Sequence, residues 1–450
     1  MKAIARGGLG QWRSRTTFVL ALAAGVAGLG NLWRFAWLVG SHGGGAFVLT
    51  YVLCVLAVAV PLLVAEIAVG IHGRGGPPQS LAWVADRSLL SRQWRWLGWL
   101  LCATGLLILA CQVVVTGWAL YFTRTLHEME LSDASARLVG EHFAALLEEP
   151  RRQWMWQGGF LLVLAAVAAQ GVRRGLGALV WLLVPALVTL LVSLVWLSFE
   201  AGDVAAAREF LFINRAMDFD ADAVLAALGH AVLTLGIGVG MGVVYGAYSP
   251  RRMPVGRTVL AVAVFDLVIA LLAALAIFPI VFGNNMEPAA GPGLLFVSLP
   301  YAFSNMPGGE PLGVLFFLMV AVAALGSALA LLEPAVAALR QGTGWPRPVV
   351  VVLVIALVGS LSALVTLSLA GQGPLARINL LALFDEIAAG LLLPLGSLLL
   401  AALVGWGLDR RVLRERLGRE SDGFFSLWYG LIRYIAPLAL AVLLLAYLIQ

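Results

Sequence analysis

Residues 25–31 read Gly-Val-Ala-Gly-Leu-Gly-Asn and residues 234–240 read Thr-Leu-Gly-Ile-Gly-Val-Gly, and each stretch follows a long apolar run. In a lipid bilayer the backbone must satisfy its own N–H and C=O groups, so a glycine-broken helix is tolerated only where it lines a cavity or holds a ligand. Two such helices in the two halves of one chain indicate a transporter whose site lies near the membrane midplane. These two breaks therefore decide the fold and locate the site.

The composition excludes a soluble globular domain, because 61% of the 450 residues are hydrophobic and only 12% are charged. The net charge of +5 does not indicate nucleic-acid binding, since the arginines are spread through short connections between apolar runs. Cys54, Cys102 and Cys111 all lie in apolar segments, which favours small buried side chains over a disulfide framework. The first apolar segment is too long for a signal peptide and has no cleavage pattern.

Eleven apolar segments are long enough to approach or reach a membrane-spanning length. They are predicted near residues 16–38, 43–71, 96–124, 156–171, 176–199, 224–247, 257–283, 311–339, 347–370, 378–407 and 429–449. Arginines cluster before the first span and after the second, fourth, sixth, eighth and tenth, where Arg340 and Arg347 are counted in the connection after the eighth. The positive-inside rule then places the N-terminus in the cytoplasm and the C-terminus outside, in a bacterial cytoplasmic (inner) membrane.

The order of the spans predicts an all-α membrane protein with a 5+5 inverted repeat and unwound first and sixth helices. Blocks of five spans placed in series have opposite orientations in the membrane, and the two broken helices open the two blocks. The predicted division is a cytoplasmic N-terminal segment (1–15), a first repeat (16–199), an external loop (200–223), a second repeat (224–407), a cytoplasmic loop (408–428) and an eleventh helix (429–450). Two external surface helices are expected, one in 125–153 and one near 294–304.

Ionisable side chains inside spans are expensive and mark functional pathways by default. They are Arg34, Glu66, His230, Asp266, Glu333, Asp385 and Glu386. For Glu333 and Glu386 we favour a packing or interfacial role over a functional one. The sequence presents no nucleophile with a base, no metal-binding cluster of thiolates or histidines and no phosphate loop, so an enzyme is not predicted.

Several motifs resemble the neurotransmitter:sodium symporter family. They are Gly28-Leu29-Gly30-Asn31-Leu32-Trp33-Arg34-Phe35, Gly43-Gly44-Gly45-Ala46-Phe47, Pro61-Leu62 with Glu66, Gly117-Trp118, Thr234-Leu235, Gly238, Tyr248, Ala276-Ile277-Phe278-Pro279, Leu331-Leu332-Glu333-Pro334, Phe384-Asp385 and Arg433-Tyr434-Ile435-Ala436-Pro437. The chain looks like a bacterial amino-acid transporter of the LeuT type. The broken helices are themselves a feature of that family, so the breaks and the motifs are not independent indications of it.

The resemblance implies an amino-acid site at the two breaks. The substrate carboxylate would face the amides of Leu29 and Gly30, and the ammonium would face carbonyls of Gly25, Val26, Leu233 and Thr234. Monoamine carriers have an aspartate at the position of Gly28, so glycine there favours an amino acid. The implied substrate-binding set is Gly25, Val26, Gly28, Leu29, Gly30, Ile108, Gln112, Leu233, Thr234, Gly236, Val239, Ser327 and Leu331. Its walls lack the family's aromatic residues, and Gln112 replaces a tyrosine, which favours a bulky apolar or aromatic substrate.

Two sodium sites are implied by the same resemblance. The first would use the Val26 carbonyl with Asn31, Thr234 and Asp266, whose carboxylate stands where an asparagine is usual and replaces the charge of chloride. The second would use the carbonyls of Ala24, Ala27 and Ala323 with the Ser327 hydroxyl. It lacks one oxygen, because the family usually has a hydroxyl at the position of Gly326. A threonine at 326 would supply it if the helix tolerates the bulk. We therefore expect one or two sodium ions and no chloride.

The resemblance also implies two gates. Arg34 and Asp385 match the external charged pair, and Trp12 and Tyr248 match part of the cytoplasmic gate. The cytoplasmic ion pair is absent, since Leu9 replaces the usual base and Gln341 the usual acid. His230 stands where a glutamine is usual, and it is either an internal hydrogen-bonding group or a proton-coupling group.

The function that these observations favour is sodium-coupled import of an amino acid by alternating access. Gly326 and His230 leave open a proton-coupled or uncoupled amino-acid carrier. Leu9 and Gln341 leave open a membrane receptor that binds substrate without transporting it. The expected partners are the amino acid and the lipid bilayer, with no nucleic acid, in a monomer or homodimer.

Overall fold

The computed structural model describes residues 10–128, 131, 134–212, 220–250, 253–286, 293–372, 377–417 and 420–449. Its long helices are numbered here in chain order. They are helix 1 (Arg15–Val26 and Gly30–Ser41), helix 2 (Gly45–Gly73), helix 3 (Arg92–His127), helix 4 (Pro150–Ala169), helix 5 (Val172–Ala201), helix 6 (Ala221–Thr234 and Met241–Ala247), helix 7 (Val255–Gly283), helix 8 (Gly309–Thr343), helix 9 (Arg347–Leu369), helix 10 (Leu380–Gly407) and helix 11 (Asp422–Ile449).

Helix 1 is broken at the predicted glycine-rich stretch. Its inner half ends at Val26, its outer half continues as a π-helical turn from Gly30 to Arg34, and the halves are bent by 48°. At the break the Gly28 amide donates to the Val26 carbonyl over 2.7 Å instead of continuing the helical ladder. The unwound first helix predicted from the sequence is thus confirmed.

Helix 6 is broken between Thr234 and Met241. Gly236, Gly238 and Gly240 have φ angles of +61°, +76° and +78°, in the left-handed region that glycine adopts without steric cost. The buried Glu66 carboxylate of helix 2 accepts hydrogen bonds from the Gly238 and Gly242 amides over 2.9 and 3.0 Å. Glu66 therefore holds the second break in place.

Among the described residues, eight helices are long and apolar enough to cross a membrane, or nine if the bent helix 1 is counted as one span. Helices 4 and 6 would bring the number of spans from nine to the predicted eleven. Helix 4 begins with a polar Pro-Arg-Arg-Gln turn, and helix 6 is split into two short pieces. The number eleven remains a prediction for this reason. Four of the predicted spans, those of helices 2, 7, 9 and 10, keep both bounds to within two residues, whereas helix 4 begins earlier, at Pro150, and helix 11 earlier, at Asp422.

Helices are present in both segments where external surface helices are predicted. An amphipathic helix spans Ala136–Glu148, and a π-helical turn with a short helix covers Leu294–Asn305. Residues 1–9 and 213–219 of the predicted terminal segment and external loop lie outside the described residues.

Candidate functional site

Four buried side chains meet beside the break of helix 1. The Asp266 carboxylate of helix 7 accepts hydrogen bonds from Asn31 Nδ2 at 2.7 Å, Thr234 Oγ1 at 3.0 Å and Tyr51 OH at 3.0 Å. The same Thr234 hydroxyl lies within hydrogen-bond distance of Asn31 Oδ1, so its single proton is shared between the two acceptors. Asp266 is fully buried, and in the described part of the chain no basic side chain pairs with it. The three side chains predicted for the first sodium site are therefore brought together, and Tyr51 is an addition.

This arrangement has the chemistry of a site for a hard cation. Oxygens of Asn31, Thr234 and Asp266 lie within hydrogen-bond distance of one another, and a hard cation prefers such oxygen ligands. Asp266 supplies a formal negative charge that is not neutralised by a basic group of the described chain. The Val26 carbonyl, the fourth predicted ligand, accepts from the Gly28 amide and retains a second lone pair.

The start of the outer half of helix 1 presents backbone N–H groups that can donate hydrogen bonds to a ligand. Leu29 and Gly30 open this half-helix, and amides in a first turn have no acceptor within their own helix. The positive end of the helix dipole adds to their attraction for an anion. This geometry fits the predicted role of both amides in binding a carboxylate.

Helix 8 packs against the same break. A Cβ atom on Gly28 would lie 2.8 Å from both Cβ and Oγ of Ser327, so only glycine fits opposite this serine. Ser327 Oγ accepts a hydrogen bond from Gln112 Nε2 at 2.8 Å, and the same nitrogen donates to the Ala324 carbonyl at 2.8 Å. Gln112 thus tethers helix 3 to helix 8 beside the break.

The predicted second sodium site lies in a tight contact between helices 1 and 8. A Cβ atom on Gly326 would lie 2.5 Å from the Ala24 carbonyl oxygen and 3.3 Å from Ala24 Cβ. Glycine at 326 therefore allows the two helices to touch, as small residues commonly do in membranes. The space that a threonine would need, on which the prediction for position 326 was conditional, is absent.

We expect Gly326→Thr to destabilise the protein by about 1–3 kcal/mol, the usual cost of overpacking, instead of raising its sodium affinity. Gly159→Thr is the matched control, because a Cβ atom at Gly159 meets nothing within 4 Å. Thermal unfolding with and without sodium measures both effects. An unchanged unfolding temperature together with tighter sodium binding would show that the contact yields to the added side chain.

The apolar walls of the site are close to one another. A Cβ atom on Gly105 of helix 3 would contact the Leu331 carbonyl at 3.3 Å and Val239 Cβ at 3.4 Å. Gly25 and Gly236 both face Met241, a residue that the sequence argument did not include. Ile108 and Leu233 are half-buried against the same core.

His230 is buried between two aromatic rings of helices 1 and 2. Its ring stacks on Phe35 at 5.9 Å and lies 5.2 Å from Tyr51, which in turn bonds Asp266. Neither ring nitrogen has a hydrogen-bond partner among the described residues. His230 also lines a cavity of about 280 Å³ together with Arg34 and Leu233.

The two residues predicted for the outer gate form an ion pair. Arg34 Nη1 lies 3.1 and 3.2 Å from the two oxygens of Asp385, and the side chains are 31% and 54% exposed. A charge-assisted pair at a wet constriction can form and break at small cost. Glu386 is exposed, as expected of an interfacial residue.

The residues predicted for the cytoplasmic gate, Trp12 and Tyr248, lie among buried hydrogen-bonded groups. The Trp12 amide and indole donate to the Tyr248 and Tyr245 carbonyls over 3.0 and 3.2 Å. The Tyr248 hydroxyl donates to Glu333 at 2.6 Å, and Glu333 forms a bidentate pair with Arg347 at 2.8 and 2.6 Å. Gln341 accepts from the Gly76 amide, and Leu9 lies outside the described residues. Arg347, which the sequence counts among the arginines that follow the eighth span, is buried.

Comparisons with known proteins agree with this geometry. A profile of the sodium:neurotransmitter symporter family matches residues 9–138 and 154–450. An uncharacterized sodium-dependent transporter of Bacillus subtilis, YhdH, is 30% identical over 97% of both chains. Another, MJ1319 of Methanocaldococcus jannaschii, is 26% identical over 97% of this chain and 89% of its own. The crystal structure of MhsT in complex with L-phenylalanine superposes with a TM-score of 0.88 and 30% identity, covering 98% of this chain and all of MhsT.

Proposed function

The chain belongs to the sodium:neurotransmitter symporter family, and we propose that it imports an amino acid on the sodium gradient by alternating access. Membership makes it a sodium-dependent, multi-pass membrane transporter and not an enzyme. Its fold is the all-helical LeuT fold of MhsT. The observation that carries the proposal is the cluster of Asn31, Thr234 and Asp266 beside the free amides of Leu29 and Gly30.

The proposed substrate is a bulky apolar or aromatic amino acid. The Leu29 and Gly30 amides suit a carboxylate, and Gly28 leaves no acidic side chain to compete with it. The walls contributed by Val239 and Leu331 are aliphatic. The neighbour MhsT was crystallised with L-phenylalanine, which supports the same class.

The proposed coupling ion is sodium, bound tightly at Asp266 and weakly or not at all at the second site. The Asp266 carboxylate supplies a charge within the site, so chloride is not required. The second site offers Ser327 and carbonyls only, since Gly326 contributes no side chain. The proposed location is a bacterial inner membrane with the N-terminus in the cytoplasm and the C-terminus outside.

Two measurements test the proposal. Thermal shift of the purified protein with a panel of amino acids, in sodium and in choline, should show stabilisation by an apolar or aromatic amino acid that needs sodium and is indifferent to chloride. Counterflow in proteoliposomes should show exchange of the same compound. Binding without exchange would favour the receptor alternative, and equal binding in choline at two pH values would favour an uncoupled carrier.

Removing the outer gate should impair transport more than binding. We expect Arg34→Ala and Asp385→Ala to lower the transport rate several-fold while substrate affinity changes less, because the pair closes above the site and does not contact the ligand. Arg137→Ala is the control, since its pair with Glu141 is an exposed pair on an external helix. Equal rates in the gate variants and the parent would refute the assignment.

A further inference from the structure

Two arginines flank one tyrosine where helices 10 and 11 meet. The guanidinium of Arg410 lies 5.2 Å from the Tyr429 ring centre, and that of Arg433 lies 5.8 Å from it. Tyr429 donates its hydroxyl proton to the Gly405 carbonyl over 3.1 Å and accepts from Arg433 Nη1 at 3.2 Å. The two guanidinium groups are therefore held at one place by a shared ring.

The guanidinium groups of Arg410 and Arg433 have few ion-pair or hydrogen-bond partners among the described residues. Among the side chains that the structure describes, no carboxylate lies within 4 Å of Arg410 or Arg433. A guanidinium has five N–H donors, and Arg433 makes one described hydrogen bond while its Nε is buried without a partner. The neighbouring Arg414 differs, because it bonds two carbonyls and the Asp422 carboxylate.

Arg433 is the last charged residue before the apolar second half of helix 11. Sixteen residues separate it from Ile449 at the other end of helix 11, which corresponds to about 24 Å along the helix. Beside it, Tyr434 is 62% exposed and Trp406 is 51% exposed. Exposed tyrosine and tryptophan are typical of the membrane–water interface, so this surface faces lipid.

We propose that this arginine–tyrosine cluster, formed by Arg410, Arg433, Tyr429, Tyr434 and Trp406, binds the phosphate of an anionic phospholipid. The lipid belongs to the leaflet on the arginine-rich side of the membrane. The phosphate oxygens accept hydrogen bonds from the N–H groups of both guanidinium groups that have no partner in the protein. The acyl chains lie against the exposed aromatic rings. An unpaired cation inside a span is expensive, and a lipid phosphate is the anion that reaches this depth.

The test uses the full-length protein in a neutral detergent, titrated with dioleoyl phosphatidylglycerol or with phosphatidylcholine of the same chains. Thermal unfolding and native mass spectrometry report binding without requiring transport. We expect phosphatidylglycerol to raise the unfolding temperature and phosphatidylcholine to have little effect. Arg410→Gln and Arg433→Gln should each lower the apparent affinity for phosphatidylglycerol about fivefold, the usual contribution of one arginine near an anionic surface.

Arg92→Gln is the matched control, since it removes an exposed arginine of the same side that already pairs with Asp86. Its response to phosphatidylglycerol should equal that of the parent. If Arg433→Gln does not fold, the exposed Arg410 still provides the test. The proposal would be overturned by equal stabilisation by both lipids or by the same stabilisation by inorganic phosphate alone. It would also be overturned if the double variant, Arg410→Gln with Arg433→Gln, kept the full response to phosphatidylglycerol.

Discussion

Asp266→Asn is expected to lower the sodium affinity of substrate binding by at least about tenfold, which corresponds to about 1.4 kcal/mol. The carboxylate is fully buried and carries the one formal charge of the cluster with Asn31 and Thr234. An amide of nearly the same shape retains an oxygen ligand but loses the charge that attracts the cation. The loss should therefore appear in sodium affinity before it appears in folding.

The measurement is substrate binding against sodium concentration, with choline as the replacement ion. Tyr51→Phe is the control, because it removes a hydrogen bond to Asp266 and leaves the charge in place. We expect its sodium affinity to fall less than that of Asp266→Asn. Chloride should restore part of the sodium affinity of the asparagine variant and leave the parent unchanged. Parent-like sodium affinity in Asp266→Asn would exclude this carboxylate from the sodium site.

The breaks of helices 1 and 6 could be predicted because their cause is local. Glycines at 236, 238 and 240 permit backbone angles that other residues avoid, and the apolar runs around them predict that the break lies within a membrane span. The neighbours of those breaks could not be predicted in the same way. Glu66 was recognised as an unusual charge in a span, but its bonds to Gly238 and Gly242 join residues more than 170 positions apart.

Tyr51 and Arg347 show two further limits of the sequence argument. Tyr51 lies in an apolar segment where an aromatic residue is ordinary, and only the packing of helices 2 and 7 brings its hydroxyl to Asp266. Arg347 begins helix 9 and is one of the arginines that the positive-inside pattern counts after the eighth span. Its long side chain instead turns inward across the connection to Glu333, fourteen residues earlier.

The family resemblance supplied what periodicity and composition could not, namely the pairing of Arg34 with Asp385 and the grouping of Asn31, Thr234 and Asp266. It failed where the chain departs from the family pattern. The departures at Leu9 and Gln341 remove the family's cytoplasmic ion pair, and in the structure the predicted Tyr248 instead bonds Glu333, which pairs with Arg347. Glu333 was expected to be paired or interfacial, and it is paired.

Arg347→Met is expected to destabilise the protein by about 3–5 kcal/mol, because it leaves the Glu333 carboxylate buried without its cation. Glu333 is 1% exposed, and the two nitrogens and two oxygens of the pair lie 2.8 and 2.6 Å apart. The arginine also bonds the Ala168 carbonyl through Nε, so its removal frees helix 9 from the end of helix 4 as well. Thermal and denaturant unfolding in detergent measure the loss.

The double variant Glu333→Gln with Arg347→Met separates a buried charge from a lost contact. If the unpaired carboxylate causes the damage, the double variant should be markedly more stable than Arg347→Met alone. Arg92→Met, at an exposed pair with Asp86, should change stability by less than about 1 kcal/mol.

The same pair should bias the direction in which the transporter opens. Separating the inner halves requires breaking buried bonds among Tyr248, Glu333 and Arg347, whereas the outer pair of Arg34 and Asp385 is already half exposed. Weakening the inner bonds therefore shifts the population toward the inward-open state, which lowers the apparent affinity measured from outside. We expect the double variant to bind substrate more weakly than the parent at saturating sodium even though it is folded. Parent-like affinity in a folded double variant would mean that these bonds stabilise the protein without controlling its access.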